Sequence, residues 1–239
     1  MPRLPEASRP HADDVLLLRC SLPALLIAWV LSQPLDMPLA QLLFEWQGGQ
    51  WSLTRHVLLE DVLHRGGHAA TLLAWIALFG ATALHWRRDA SRAWTRPAAR
   101  LLLAVLAAAL LVAWLKSVTR MDCPWGLAAF GGPHPFVPLF APRPLELGRP
   151  ACFPAAHAAS GYAWAALYFF FATVRPSWRW AGLAAGVLAG LVFGIAQQLR
   201  GAHFLSHDVA SVTLCWTVAC VVDGIARRRG RLASAGEAA

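Results

Sequence analysis

Apolar residues run through this chain in long blocks, and polar residues gather in short clusters between them. A helix of about 20 apolar residues crosses a bilayer. Blocks near that length lie at 15–34, 68–86, 99–115, 155–174, 179–198 and 204–224. The first contains Arg19 and Pro23 and follows Asp13 and Asp14, with no small-residue cleavage site after it, so it reads as an anchor rather than a removable signal. The stretch 35–67 is too broken to span, with Pro34, Pro38 and a QGGQ run. Within it, 51–65 places Leu58, Val62 and Leu63 at helical spacing, which predicts an interfacial helix. Its Arg55, Glu60, Asp61 and His64 are expected to form a solvated face. The fold expected is all-α: a polytopic membrane bundle of six transmembrane helices with an outer-face interfacial helix. It forms one domain over 1–239, with a core at about 99–224, an N-terminal part at 15–67 and a basic tail at 225–239.

Composition supports a membrane protein. Of 239 residues, 57% are hydrophobic and 14% charged, against about 25% charged in soluble domains. The net charge of +8 comes almost entirely from arginine, Lys116 being the one lysine. The arginines sit in short loops, where they act as topology signals rather than a nucleic-acid surface. Arg87, Arg88, Arg92, Arg96 and Arg100, then Arg175 and Arg179, then Arg227, Arg228, Arg229 and Arg231 fall on one side if six spans alternate. That side is expected to be cytoplasmic. Both termini are then inside, in a bacterial inner membrane, and 35–67, 116–154 and 199–203 face the periplasm.

Each of three polar clusters borders an apolar block and falls on that outer side: KSVTRMDCPW (116–125), CFPAAHAAS (152–160) and RGAHFLSHD (200–208). Ionisable groups at a membrane boundary mark functional sites. Lys116 and Arg120 are four apart, so a continuing helix puts both on one face, where two cations suit a phosphate. His157 lies at the start of a block, where a helix N-terminus favours an anion and a histidine can protonate a leaving oxygen. Arg200 can clamp phosphate oxygens with its planar fork. A neutral imidazole can attack phosphorus when an acceptor holds its second nitrogen. His203 and His207 share a helix face, and Asp208 is rotated by about 140°. The orienting partner of a nucleophilic His203 is therefore either Asp208 or His207. A metal held by His203, His207 and Asp208, or a haem held by His157, His203 and His207, are lesser alternatives. Cys20, Cys215 and Cys220 lie in apolar blocks as small buried hydrophobes. Cys123 and Cys152 share the outer loop and are expected to pair, closing a loop of about 30 residues.

In this order the clusters resemble the type 2 phosphatidic acid phosphatase superfamily, in a divergent membrane-associated branch. That family carries a lysine-to-Arg-Pro motif, a Pro-Ser-Gly-His motif and a Ser-Arg, histidine, aspartate motif; the match spans 116–208. The resemblance implies that His203 in GAHFLS is the nucleophile, His157 in FPAAH the general acid and Lys116 the opening lysine. It also implies hydrolysis of a phosphate ester or anhydride through a phosphohistidine, without metal or organic cofactor. Its substrate would be a membrane lipid phosphate or diphosphate. This chain departs from the pattern at Cys123, Ala155, Ala156, Gln197 and His207, which stand where the family has arginine, serine, glycine, arginine and aspartate. Arg120 and Arg200 are expected to replace the displaced arginines, and Asp208, with His207, to hold His203. A lipid phosphotransferase using the same intermediate and a catalytically degenerate scaffold are the alternative functions.

Overall fold

A computed structural model describes residues 12–88, 93–148 and 150–237, with side chains described from Cys20 onward apart from Arg231 and 234–237. Arg92 lies outside the described residues, as do the side chains of Asp13, Asp14, Arg19 and Arg231. The described chain is helical without strands: α1 (Ala12–Ser32), α2 (Asp36–Trp46), α3 (Gly67–Trp86), α4 (Thr95–Thr119), α5 (Ala156–Tyr162), α6 (Leu167–Val174), α7 (Arg179–Leu199) and α8 (Leu205–Glu237). Among the described residues, five helical runs are long and apolar enough to cross a membrane: Cys20–Trp46, Leu58–Trp86, Thr95–Gly126, Pro176–Leu199 and Leu205–Gly230. Their outer faces expose large apolar side chains such as Leu31, Leu73, Leu110 and Leu188, as lipid contact demands. The protein is a helical membrane protein.

The block expected at 155–174 is helical but broken: α5 passes through a tighter turn at Ala163–Ala166 into α6. This is the most enclosed part of the bundle. His157, Ala158, Ala159, Gly161, Tyr162, Ala163, Ala165, Ala166, Tyr168 and Phe169 are all buried. Its first half is rich in alanine, whose small side chain lets neighbouring helices approach closely.

Close approach of α7 to this run follows from a glycine stripe. Gly182, Gly186, Gly190 and Gly194 recur every four residues on one buried face. A methyl group on Gly186 would collide with the Ala165 backbone, and one on Gly190 with the Tyr162 ring. Small residues at such spacing let helix backbones approach in lipid, where packing replaces the hydrophobic effect.

Two expectations need correction. The stretch after α1 is not simply broken, because Asp36–Trp46 forms α2. Pro34 lies in a short turn and Pro38 in the first turn of α2, where its missing N–H leaves no bond unmade. Nor is 51–65 a separate interfacial helix: Leu58–Gly66 winds as a wide π-type helix running directly into α3.

The loops at one end form a second core of Ala40, Met121, Leu127, Phe130, Phe153, Phe204 and Ala210. Backbone bonds tie them together: Trp125 N–H donates to the Gly201 carbonyl at 2.9 Å and Cys152 N–H to the Met121 carbonyl at 3.1 Å. Cys123 and Cys152 are disulfide-bonded, with Cα atoms 5.3 Å apart. Buried Asp122 accepts both Nη atoms of Arg143, and His134 Nδ1 lies 2.7 Å from its Oδ1. Asp36 of α2 caps α8, its carboxylate accepting the Ser206 N–H at 2.8 Å and the Ser206 hydroxyl.

Candidate active site

The turn between α7 and α8 carries the densest cluster. Gly201 adopts φ +71°, the left-handed region favouring glycine, and a Cβ there would strike the Trp51 ring. The turn delivers buried His203 just before α8 begins. One α8 turn later, His207 is fully buried, and the two Nδ1 atoms lie 3.3 Å apart. Burial first, then His207 and Lys116, holds the His203 imidazole well below the ordinary histidine value; the Cys152 carbonyl opposes them. His157 adds to the same depression through space. Lys116, His157 and His207 thus all lie within electrostatic reach of His203.

The Nδ1 pair has a chemical consequence. One hydrogen bond between two imidazole nitrogens needs one N–H and one lone pair. With the proton on His203 Nδ1, His207 accepts it and the His203 Nε2 lone pair is free. Asp208 does not share in this contact. Its Oδ2 accepts from Gln198 Nε2, and its carboxylate packs where a Gly194 side chain would stand. Asp208 therefore turns toward α7, and the side chain facing His203 Nδ1 is His207. Among the described residues no group of three His, Cys, Asp or Glu side chains is arranged to hold a metal ion.

Arg200 is 6% exposed and held on three sides. Its Nε donates to the Thr54 carbonyl at 2.9 Å, its Nη1 to Gln197 Oε1 at 2.9 Å, and its Nη2 pairs with Glu60. A guanidinium has five N–H groups, so this arrangement leaves two for an anion. His157, the second residue of α5, is also buried. Its ring stacks on Phe193 of α7, with centroids 4.5 Å apart, and meets His64 edge-on at 4.6 Å.

Arg120 departs from expectation. The helix does not continue through it: α4 stops at Thr119, and Arg120 takes a left-handed conformation at φ 50°, ψ 37°. Lys116 and Arg120 consequently do not share a helix face. The solvated face expected over 51–65 is also only partly present. Asp61 and Arg65 are exposed, but Glu60 pairs with Arg200, and His64 Nδ1 lies 3.0 Å from Gln197 Nε2. Glu60 and His64, expected in a solvated face, and Gln197, expected only as a departure from the family pattern, thus join one network with Arg200. The one available signal was a histidine and a glutamate four apart in an otherwise apolar amphipathic stretch.

The PAP2 superfamily profile matches residues 97–231, more than half of the chain. The chain belongs to the PAP2 superfamily. Members of this superfamily are phosphatases acting on phosphate esters, so the site reads as that of a phosphoric ester hydrolase in the broad sense. No curated protein and no solved structure matches the chain. The PAP2 match covers α4 to α8, and so Lys116, His157, Arg200 and His203, but stops short of Glu60 and His64.

Proposed function

We propose that the protein is a membrane phosphatase that hydrolyses a lipid-linked phosphate or diphosphate at the periplasmic face of a bacterial inner membrane. Six crossings, with Ala156–Val174 as the enclosed one, would place both termini in the cytoplasm. His203 Nε2 attacks phosphorus while His207 accepts the Nδ1 proton. The bond from phosphorus to the leaving oxygen breaks, and His157 gives that oxygen its proton. Water then attacks the phosphohistidine, His157 takes the water proton, the P–N bond breaks and inorganic phosphate departs. Lys116 and the free N–H groups of Arg200 hold the phosphate oxygens. Each step draws only on these side chains.

The observation that carries this reading is the His203–His207 pair with Lys116 and His157 within electrostatic reach of it, and Arg200 within reach of His157, in a chain of the PAP2 superfamily. A lipid acceptor in place of water would make the same intermediate a phosphotransferase, and product analysis with two lipids present separates the two. The test is phosphate release by the full chain in detergent from phosphatidic acid, phosphatidylglycerol phosphate, undecaprenyl diphosphate and lipid A. At least one should be hydrolysed by the parent and none by His203→Ala. Equal activity in that variant would refute the nucleophile.

A further inference from the structure

The imidazole of His157 has no side-chain hydrogen bond to orient it. Neither ring nitrogen makes a hydrogen bond of normal geometry, and the one backbone group that acts on the ring is the Leu63 carbonyl. Its orientation is left to two rings, the face of Phe193 and the edge of His64. Both contacts depend on the 58–67 segment. His64 and Leu63 belong to it, and a methyl group on Gly67 would lie 2.6 Å from the Phe193 ring.

His64 is itself fixed through Gln197, which is 2% exposed. A guanidinium only donates hydrogen bonds, so the Gln197 atom facing Arg200 must be the amide oxygen. The amide NH2 then faces His64 Nδ1 at 3.0 Å. A donor aimed at Nδ1 requires a lone pair there, so the His64 proton sits on Nε2. Glu60, on the same wide-turn segment, holds Arg200 from its other side. The remaining charged or titratable groups acting on His64 are Arg65 and His68 of its own chain segment.

We propose that Gln197 and His64 are positioning residues for His157: Arg200 fixes the Gln197 amide, the amide fixes the His64 tautomer, and the His64 ring holds the His157 imidazole in its working orientation. The activity part of this proposal rests on His157 being the general acid; the tautomer part does not. Gln197 occupies a position where the superfamily motif has arginine, and His64 lies outside the matched residues. The relay is therefore a property of this chain's own departures.

The test uses the full chain in detergent, labelled with 15N-histidine. In the parent, the His64 resonances, identified by their loss in His64→Gln, should report an unprotonated Nδ1 and a protonated Nε2. Gln197→Glu keeps the shape and the acceptor facing Arg200, but turns an acceptor toward His64. It should move the proton to Nδ1. A parent His64 protonated at Nδ1, or no change in Gln197→Glu, would overturn the relay.

The kinetic arm compares alkyl and nitrophenyl phosphates. His64→Gln and Gln197→Glu should each lower kcat for the alkyl ester about tenfold or more, the range of partial loss of acid catalysis. The loss should shrink for the nitrophenyl ester, which needs little protonation. A purely structural defect would lower both alike. Parental kcat and leaving-group dependence in His64→Gln would overturn the positioning role. If the tautomers are as stated but the parent hydrolyses no phosphate ester, the hydrogen-bond relay stands and the phosphatase reading falls.

Discussion

His203 and His207 face one another through their Nδ1 atoms, 3.3 Å apart, with both rings buried. Asp208 is turned away to Gln198. In the proposed mechanism an imidazole, not a carboxylate, therefore holds His203 during attack. His207→Ala should lower kcat about 100-fold or more, the scale on which a triad-type site loses rate when its base is no longer oriented. His207→Asp restores an acceptor and should recover part of that loss. Asp208→Asn should stay within about threefold of the parent, because no bond to His203 is lost. Steady-state kinetics on the three variants check the assignment; a larger loss in Asp208→Asn than in His207→Ala would reverse it.

His157 should reveal its role through the leaving group. His157→Ala is expected to lose about 10²–10⁴-fold in kcat on an alkyl phosphate, the usual contribution of a positioned acid. Nitrophenyl phosphate should be affected much less. Measured rates that fall equally for both esters would argue against proton donation.

Acidification should destabilise the fold through His203. Its folded-state value lies well below the ordinary 6.5, chiefly because it is buried. Below about pH 6.5 the unfolded chain therefore binds a proton that the folded chain refuses. The stabilising contribution is complete above that value and is lost as pH falls toward the folded value. Thermal unfolding followed by tryptophan fluorescence should show the midpoint dropping below about pH 6.5 in the parent, and dropping less in His203→Gln. Parallel curves would contradict the argument.

The glycine stripe gives a test of packing. Gly186→Leu forces a side chain into the Ala165 backbone and should destabilise by about 3 kcal/mol or more, at the upper end for overpacking. Gly224→Ala meets open space on α8 and should be neutral or stabilise by up to about 1 kcal/mol. Unfolding of the two variants under identical detergent conditions decides; similar losses would mean that the α7 contact does not depend on the stripe.

Much of the bundle was legible in the pattern of apolar blocks, because lipid-facing helices must be apolar along their length. The expected blocks at 68–86, 99–115 and 179–198 lie within α3, α4 and α7, and all but the first residue of 204–224 lies within α8. The clusters bearing Lys116, His157 and His203 also meet at one end, as their positions between blocks required. Other features were not legible, for identifiable reasons. Glu60 and His64 sit on a face whose charges suit water and an ion pair equally, and periodicity cannot distinguish the two. The wide winding of 58–66 also alters which residues share that face. Arg120 was misplaced because a helix end set by a left-handed residue leaves little trace when that residue is not glycine. The choice between Asp208 and His207 depended on where the Gly201 turn aims His203 relative to α8, which spacing alone leaves open.

The proposed mechanism turns on a bond from His203 to phosphorus. Brief reaction of the full chain with a hydrolysable lipid phosphate, an alkaline quench and peptide mass spectrometry test it most directly. A base-stable, acid-labile phosphoryl group is expected on the peptide bearing His203, accumulating further in His157→Ala with an activated ester and absent in His203→Ala. An active enzyme with no covalent phosphate, or with the phosphate on another residue, would contradict it.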